Sequence, residues 1–182
     1  NNRSDEDVLT LLLDRQRAAL DAVEDAIPQI SKAANALQKA SQANGMIGYA
    51  GAGSAGLTAL ADCLELPGTF GFPPERMCML YAGGAENLLH LAGTYEDDEE
   101  MGRVDFQSSD LGKGDILIAV SASGSTPYTL GTFRAAQSAG TETIALCNNP
   151  WHFLLTLLFD QCQPFGVAAL GALGAVAAAK NG

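Results

Sequence analysis

Two short stretches of the chain carry residues that can do chemistry. Residues 51–56 read "GAGSAG", a G-x-G-x-x-G spacing directly after the apolar run "MIGYA". Glycines let a backbone come close to an anion, and a helix starting there would offer free N–H groups and a positive dipole end. Residues 121–127 read "SASGSTP" after the apolar run "DILIAV". Ser121, Ser123, Ser125 and Thr126 surround Gly124, four hydroxyls in six residues. A helix cap needs one such side chain. Four exceed that need and suit the oxygens of a phosphate, which accept from hydroxyls and backbone amides without a countercharge. The first loop alone does not specify a dinucleotide. That fold wants an acid about 20 residues on, ending the second strand, to bind a ribose. Here the corresponding strand ends "LYAGG" with no carboxylate, and Glu86 comes next, inside an expected helix.

The elements that must position these loops can be read along the chain. Ser4 precedes "DEDVLTLLLDRQRAALDAVEDA", whose acidic start and helical spacing of Leu9, Leu12, Leu13, Leu20 and Val23 predict a helix. Pro28 is expected to break it, and "PQISKAANALQKASQ" to form a second helix before the turn at Asn44-Gly45. Strands are expected at 46–50, 76–82, 115–122 and 142–148, and helices at 56–65, 85–92 and 127–139, the last closed by Gly140. The acidic run "EDDEE" (96–100) reads as solvated chain. This β-α-β-α order predicts an α/β fold, a mainly parallel sheet between two helical layers, doubly wound in the flavodoxin manner. Right-handed crossovers then bring the loops after each strand to one edge, where ligands bind. We expect one domain over 1–182: N-terminal helices to 45, an α/β core at 46–150 and C-terminal helices at 151–182.

Composition bounds the partners. The chain of 182 residues is long enough for a sizeable core, and 47% of it is hydrophobic. Ten basic against 21 acidic residues leave a net charge of −11. That argues against nucleic acid and against anionic membranes, both of which select clustered Lys and Arg. Cys63, Cys78, Cys147 and Cys162 form no C-x-x-C pair and are joined by two histidines only, so no metal site and a reduced, cytoplasmic setting are expected. The start "NNRSDEDV" does not read as a signal peptide. The apolar stretch 165–179, with Gly166, Gly171 and Gly174 spaced for close packing, is about 15 residues long, short of the roughly 20 that cross a bilayer. It is expected to pack against the body or a second subunit.

Taken together, the loops resemble those of the sugar isomerase (SIS) domain family, and more narrowly N-acetylmuramic acid 6-phosphate etherases and the related glucokinase regulatory proteins. "SASGSTPYTLG" followed by "GTETIALCNNP" resembles the family's A-A-S-G-R-T-P-Y and S-C-N-P. "GAGSAG" followed by "LADCLELPGTFGFPPE" resembles its glycine loop and D-A-S-E-C-P-P-T-F-G. "AGGAENLLHLAGTYEDDEE" resembles A-G-G-E leading to G-A-E-D. The similarity runs over roughly residues 17–150, with the motifs in order. It implies a three-layer sandwich, usually a homodimer with the site near the interface. It further implies a sugar phosphate as ligand, and no cofactor or metal.

The reaction the resemblance implies is cleavage of a D-lactyl ether at C3 of an amino-sugar 6-phosphate. On it, Glu65 and Glu96 map onto the two glutamates of acid–base catalysis. Glu65 is assigned to protonate the departing oxygen and Glu96 to act as base or water activator, with the roles open to exchange. The ligand-binding set is Gly51, Gly53, Ser54, Ser121, Ser123, Gly124, Ser125 and Thr126. Asp62, one turn from Glu65, and His90, which aligns with a family histidine, stand beside these. Three departures bear on activity. Ser54, Ala55 and Leu57 stand where the family reads T-S and then R. Ser125 replaces the arginine of A-S-G-R-T-P. Residues 151–182 replace the family's A-G-T-A-Q-K stretch. The alternatives are a phosphosugar-binding module without turnover and an aldose–ketose phosphosugar isomerase.

Overall fold

The computed structural model describes residues 3–90 and 93–148. Its elements are α1 (Asp5–Gln42), β1 (Ile47–Gly51), α2 (Gly53–Phe70), β2 (Met77–Tyr81), α3 (Gly84–Asn87), α4 (Glu99–Gln107), β3 (Ile116–Val120), α5 (Pro127–Ala139) and β4 (Glu142–Leu146). The four strands form one parallel sheet in the order β2-β1-β3-β4. The expected three-layer arrangement is present. Ile47, Tyr49, Ile116, Ile118, Val120, Ile144 and Leu146 face α1 and α2. Alternate positions Ala50, Leu80 and Leu117 meet Phe106 of α4 and Ala136 of α5 on the other side. That is the two-residue period of strands buried on both faces.

The expected pair of N-terminal helices is one helix. Ser4 caps it, with its hydroxyl accepting from Asp7 N and the Asp7 carboxylate accepting in turn from Ser4 N. Pro28 lies inside. It removes its own N–H and frees the Glu24 carbonyl. Both residues are exposed, so water can satisfy what the proline leaves open. Ala26, Ile30, Ala33, Ala34, Leu37 and Ala40 meanwhile bury one continuous helical stripe across that point. The first half of α1 stays exposed, including Leu9 (66%) and Leu20 (60%).

One further expectation is corrected and one is extended. The helix expected at 85–92 spans only Gly84–Asn87, followed by turns through 90. The acidic run is solvated as expected apart from the half-buried Glu96, and its last two residues open a helix that was not expected. Asp98 caps α4 by accepting from Met101 N, and Glu99 and Glu100 form its first turn. The expected C-terminal helices at 151–182, the stretch 165–179 and Cys162 lie outside the described residues.

α4 and α5 cross at two glycines. A Cβ on Gly102 would lie 2.9 Å from the Tyr128 carbonyl carbon, and one on Gly131 would lie 3.0 Å from that of Glu99. At the opposite end of the sheet, Arg76 donates to the carbonyls of Ser41 and Gly45 and stacks on Phe72 at 4.9 Å. It closes the carboxyl end of α1, where a cation is favoured. We expect Arg76→Met to cost about 2 kcal/mol, the range for hydrogen bonds made by a charged donor, measured by urea denaturation.

Candidate functional site

The strand order decides where the site can be. The chain passes from β1 to β2 on one side, then returns to place β3 on the other side of β1. The carboxyl ends are level: Gly51 pairs with Tyr81 and with Val120, and Val120 with Leu146. The loops after β1 and β3 therefore diverge side by side, which opens a crevice outside the strand ends. The glycine loop lines one wall and residues 121–127 the other. The groove between α4 and α5, about 720 Å³, contains none of the candidate residues.

In the glycine loop, two glycines are there for packing. A Cβ on Gly51 would meet Gly56 Cα at 2.8 Å, so the pair lets α2 lie directly on β1. Gly53 differs. Its φ is +52°, and a Cβ there would lie 3.0 Å from the carboxyl carbon of Glu96. α2 begins with Ala52 at its cap, has no side-chain cap bond and has no acid in its first turn. The half-buried Glu96 supplies the missing negative charge from across the crevice. The glycine loop thus receives a carboxylate of its own chain, and a phosphate there would be repelled by it. Ser54, assigned to the ligand from sequence, is exposed on the first turn of α2.

Glu96 is held by its backbone as well. Its N–H donates to Gly93 O at 3.1 Å, and its carbonyl accepts from Tyr128 N, in the first turn of α5, at 3.0 Å. The preceding residue, Tyr95, lies against Gly83, whose missing side chain leaves room for the ring, since a Cβ there would be 2.6 Å from Tyr95 Cδ2. Asn87, buried, donates to Ala82 O at 2.9 Å and secures the same turn.

The second loop is a network of hydroxyls. Ser121 is buried at 1% exposure. Its Oγ accepts from Gly124 N at 3.0 Å and pairs with Thr126 Oγ1 at 2.8 Å. Gly124, with φ +76°, makes the turn. Ser121, expected among the ligand-binding residues, faces inward and shapes the loop. Ser123, exposed, accepts from both the amide and the hydroxyl of Ser125, at 3.1 and 3.0 Å. Ser123 Oγ also lies 3.4 Å from Ser121 Oγ, a pair in which either can donate, and hydroxyls reorient toward a ligand without moving the backbone. Thr126 makes no side-chain cap bond to α5, so these hydroxyls are not spent on capping. Main-chain bonds from Ser121 N to Leu146 O and from Asn148 N to Ala122 O tie the loop to the exit of β4.

Glu65 is placed elsewhere. α2 runs unbroken through Pro67, and Glu65 is twelve residues beyond Gly53, about 18 Å along the axis. It is exposed and accepts from Thr69 Oγ1 at 2.7 Å. One chain therefore does not bring Glu65 and Glu96 together. His90 is exposed, with its amide bonded to Asn87 O. Asp62 accepts from the buried Tyr49 hydroxyl at 2.6 Å. Burial, and then the Glu65 charge, hold the Asp62 carboxyl above its ordinary range, against the opposing pull of the Tyr49 bond.

A carboxyl raised in the fold stabilises in its protonated form. That contribution is present below pH 3.8, its ordinary value, and is lost as pH rises through the higher folded value. We therefore expect Asp62→Asn to be more stable than the parent at pH 7 and equal to it near pH 3, by urea denaturation at both.

Sequence reasoning missed Tyr81. It ends β2 at 5% exposure, and its hydroxyl donates to Gly53 O at 3.2 Å. The only signal was an aromatic residue immediately before "AGG".

Comparison with known proteins agrees with this architecture. An N-acetylmuramic acid 6-phosphate etherase of Deinococcus radiodurans is 42% identical over 143 residues, covering 79% of this chain and 47% of the relative. The chain thus spans about half the length of the curated relatives it matches. Among solved structures, a phosphoheptose isomerase from Neisseria gonorrhoeae superposes with a TM-score of 0.70 at 16% identity, over 94% of this chain and 98% of the other. The Vibrio vulnificus NanR protein complexed with ManNAc-6P superposes at 0.52 and 18%, over 96% and 62%. Residues 13–148 match the family described as SIS domain, and the chain belongs to that family.

Proposed function

We propose that this chain binds an amino-sugar 6-phosphate in the β1/β3 crevice and takes part in etherase chemistry on it. The observation that carries the reading is the placement of one carboxylate, Glu96, between the two strand-end loops. Its backbone is bonded to the first turn of α5 and its side chain lies against Gly53. A phosphate on Ser123, Ser125 and Thr126 would leave the sugar facing Glu96. Because Glu96 already occupies the glycine-loop end of α2, the phosphate belongs on the hydroxyl loop.

The chemistry follows from that placement. In the open-chain sugar, the proton at C2 is acidified by the C1 aldehyde. Glu96 takes it as general base, the C3–O bond to the lactyl group breaks, and the departing oxygen acquires a proton. D-lactate leaves at that step, and water then adds across the C2–C3 double bond, its hydroxyl to C3 and a proton to C2, giving the free amino-sugar phosphate. Glu65 could donate the leaving-group proton only from a second copy of the chain. The exposed stripe of Leu9, Leu12 and Leu20 on α1 supports such a pairing.

A second reading, a phosphosugar-binding module without turnover, is favoured by the separation of Glu65 from Gly53 along α2. Incubating the full chain with N-acetylmuramic acid 6-phosphate and assaying D-lactate separates the two. Release supports the etherase. Saturable binding without release supports the module, and sugar interconversion without lactate supports an isomerase.

A further inference from the structure

We propose that Tyr81 is the positioning residue of the Glu96 carboxylate, acting through the backbone of Gly53. This rests on the reading of Glu96 as the proton-transfer group. Tyr81 closes β2, the strand next to β1, and sends its phenol across the loop that follows β1. The ring lies so close to Gly56 that a Cβ there would be 2.7 Å from Cε2. The hydroxyl reaches the Gly53 carbonyl at 3.2 Å.

Gly53 is the contact surface for the Glu96 carboxylate, and it opens α2 with a left-handed backbone. A helix that starts on such a residue, with no side-chain cap, leaves its first peptide free to rock. The phenol supplies the missing restraint. It donates to a carbonyl lone pair that the helix ladder leaves open, since a carbonyl oxygen has two. The ring fills the space that Gly56 vacates. A phenylalanine would give the packing without the restraint.

A separate observation connects the two groups. Burial and then the Glu96 charge raise the Tyr81 phenol above its ordinary value, so hydroxyl and carboxylate lie within each other's field. The phenol does not enter the hydroxyl loop that would hold the phosphate. Its loss should therefore disturb the proton-transfer group and spare the anion site.

Two measurements test this. In the first, Tyr81→Phe is assayed for D-lactate release and for binding of N-acetylglucosamine 6-phosphate. We expect kcat to fall about tenfold, with KM and the sugar phosphate Kd within about twofold, the signature of an interaction that acts on the transition state. An unchanged kcat, or a fall matched by equal loss of binding, overturns the proposal.

The second measurement needs no turnover. With 13Cζ-labelled tyrosine, the Tyr81 signal is assigned from its absence in Tyr81→Phe and titrated in the parent and in Glu96→Gln. We expect the Tyr81 titration to move to lower pH in Glu96→Gln. An unmoved titration overturns the proposal even if Glu96 proves necessary for lactate release. If the parent releases no lactate, the etherase reading fails, and the titration alone decides whether Tyr81 and Glu96 are coupled.

Discussion

Glu96→Gln is expected to lower D-lactate release about a thousandfold while leaving sugar phosphate affinity equal or slightly improved. The two effects have different causes. Glutamine has the shape of glutamate, so the side chain keeps its place against Gly53, and the backbone bonds to Gly93 O and Tyr128 N are unaffected. What disappears is the group that accepts the C2 proton. A negative charge on the opposite wall of the crevice disappears as well, which would relieve like-charge repulsion with a phosphate on the hydroxyl loop. A small stability loss accompanies this, because the start of α2 loses the carboxylate opposite its dipole, worth about 0.5–1 kcal/mol. Steady-state kinetics with calorimetric titration of N-acetylglucosamine 6-phosphate read both effects. Parallel loss of binding and turnover would instead mean that Glu96 holds the sugar and does not act on its proton.

Gly131→Ala is expected to destabilise the chain by about 3 kcal/mol, roughly 10 °C in melting temperature. The atoms a new Cβ would meet are backbone: the Glu99 carbonyl carbon at 3.0 Å and Arg103 N at 3.1 Å. A flexible side chain could swing away, but a helix backbone moves only as a unit. α4 must therefore lift from α5. Glu96 lies just before α4 and is bonded to Tyr128 at the start of α5, so the displacement reaches the site. We expect lactate release to fall with stability. Gly68→Ala is the control. Gly68 lies inside α2 with nothing within 4 Å of its added Cβ, so the change should stabilise by about 0.5–1 kcal/mol. Thermal denaturation of the two variants gives opposite shifts if close helix crossing is the cause, and similar shifts if glycine loss alone is.

How far this architecture could be read in advance varied with the physics of each part. Strands such as "ILIAV" are buried on both faces, so their apolar runs declare them and the sheet follows from their alternation with helices. Gly140 was legible as a helix stop because only the left-handed backbone it adopts, φ +77°, closes α5 there. The unbroken α1 was not legible. A proline signals a break from its chemistry, and only the fold shows that Pro28 faces solvent while the stripe of Ala26 and Ile30 stays buried. α4 was hidden because its start is as acidic as a solvated run, and an acidic first turn and an acidic loop read alike in one sequence.

At the site, the residue types of both loops were legible and their orientations were not. Ser121 and Ser123 are two positions apart and equally polar, yet one seals the turn and the other faces solvent. The resemblance assigned Glu65 and Glu96 to one catalytic pair, but the length of α2 separates them within one chain. No local pattern carries the crossing of Tyr81 to Gly53, since it joins two strand ends that only the parallel pairing makes neighbours.

The central claim is that a sugar phosphate rests on residues 121–127 with its ring toward Glu96. Amide chemical-shift mapping of the full chain with N-acetylglucosamine 6-phosphate tests it most directly. The account predicts saturable shifts at Ser123, Gly124 and Ser125 and at Glu96, with inorganic phosphate reproducing only the loop shifts. Shifts confined to the first turn of α2, or to the groove between α4 and α5, would contradict it.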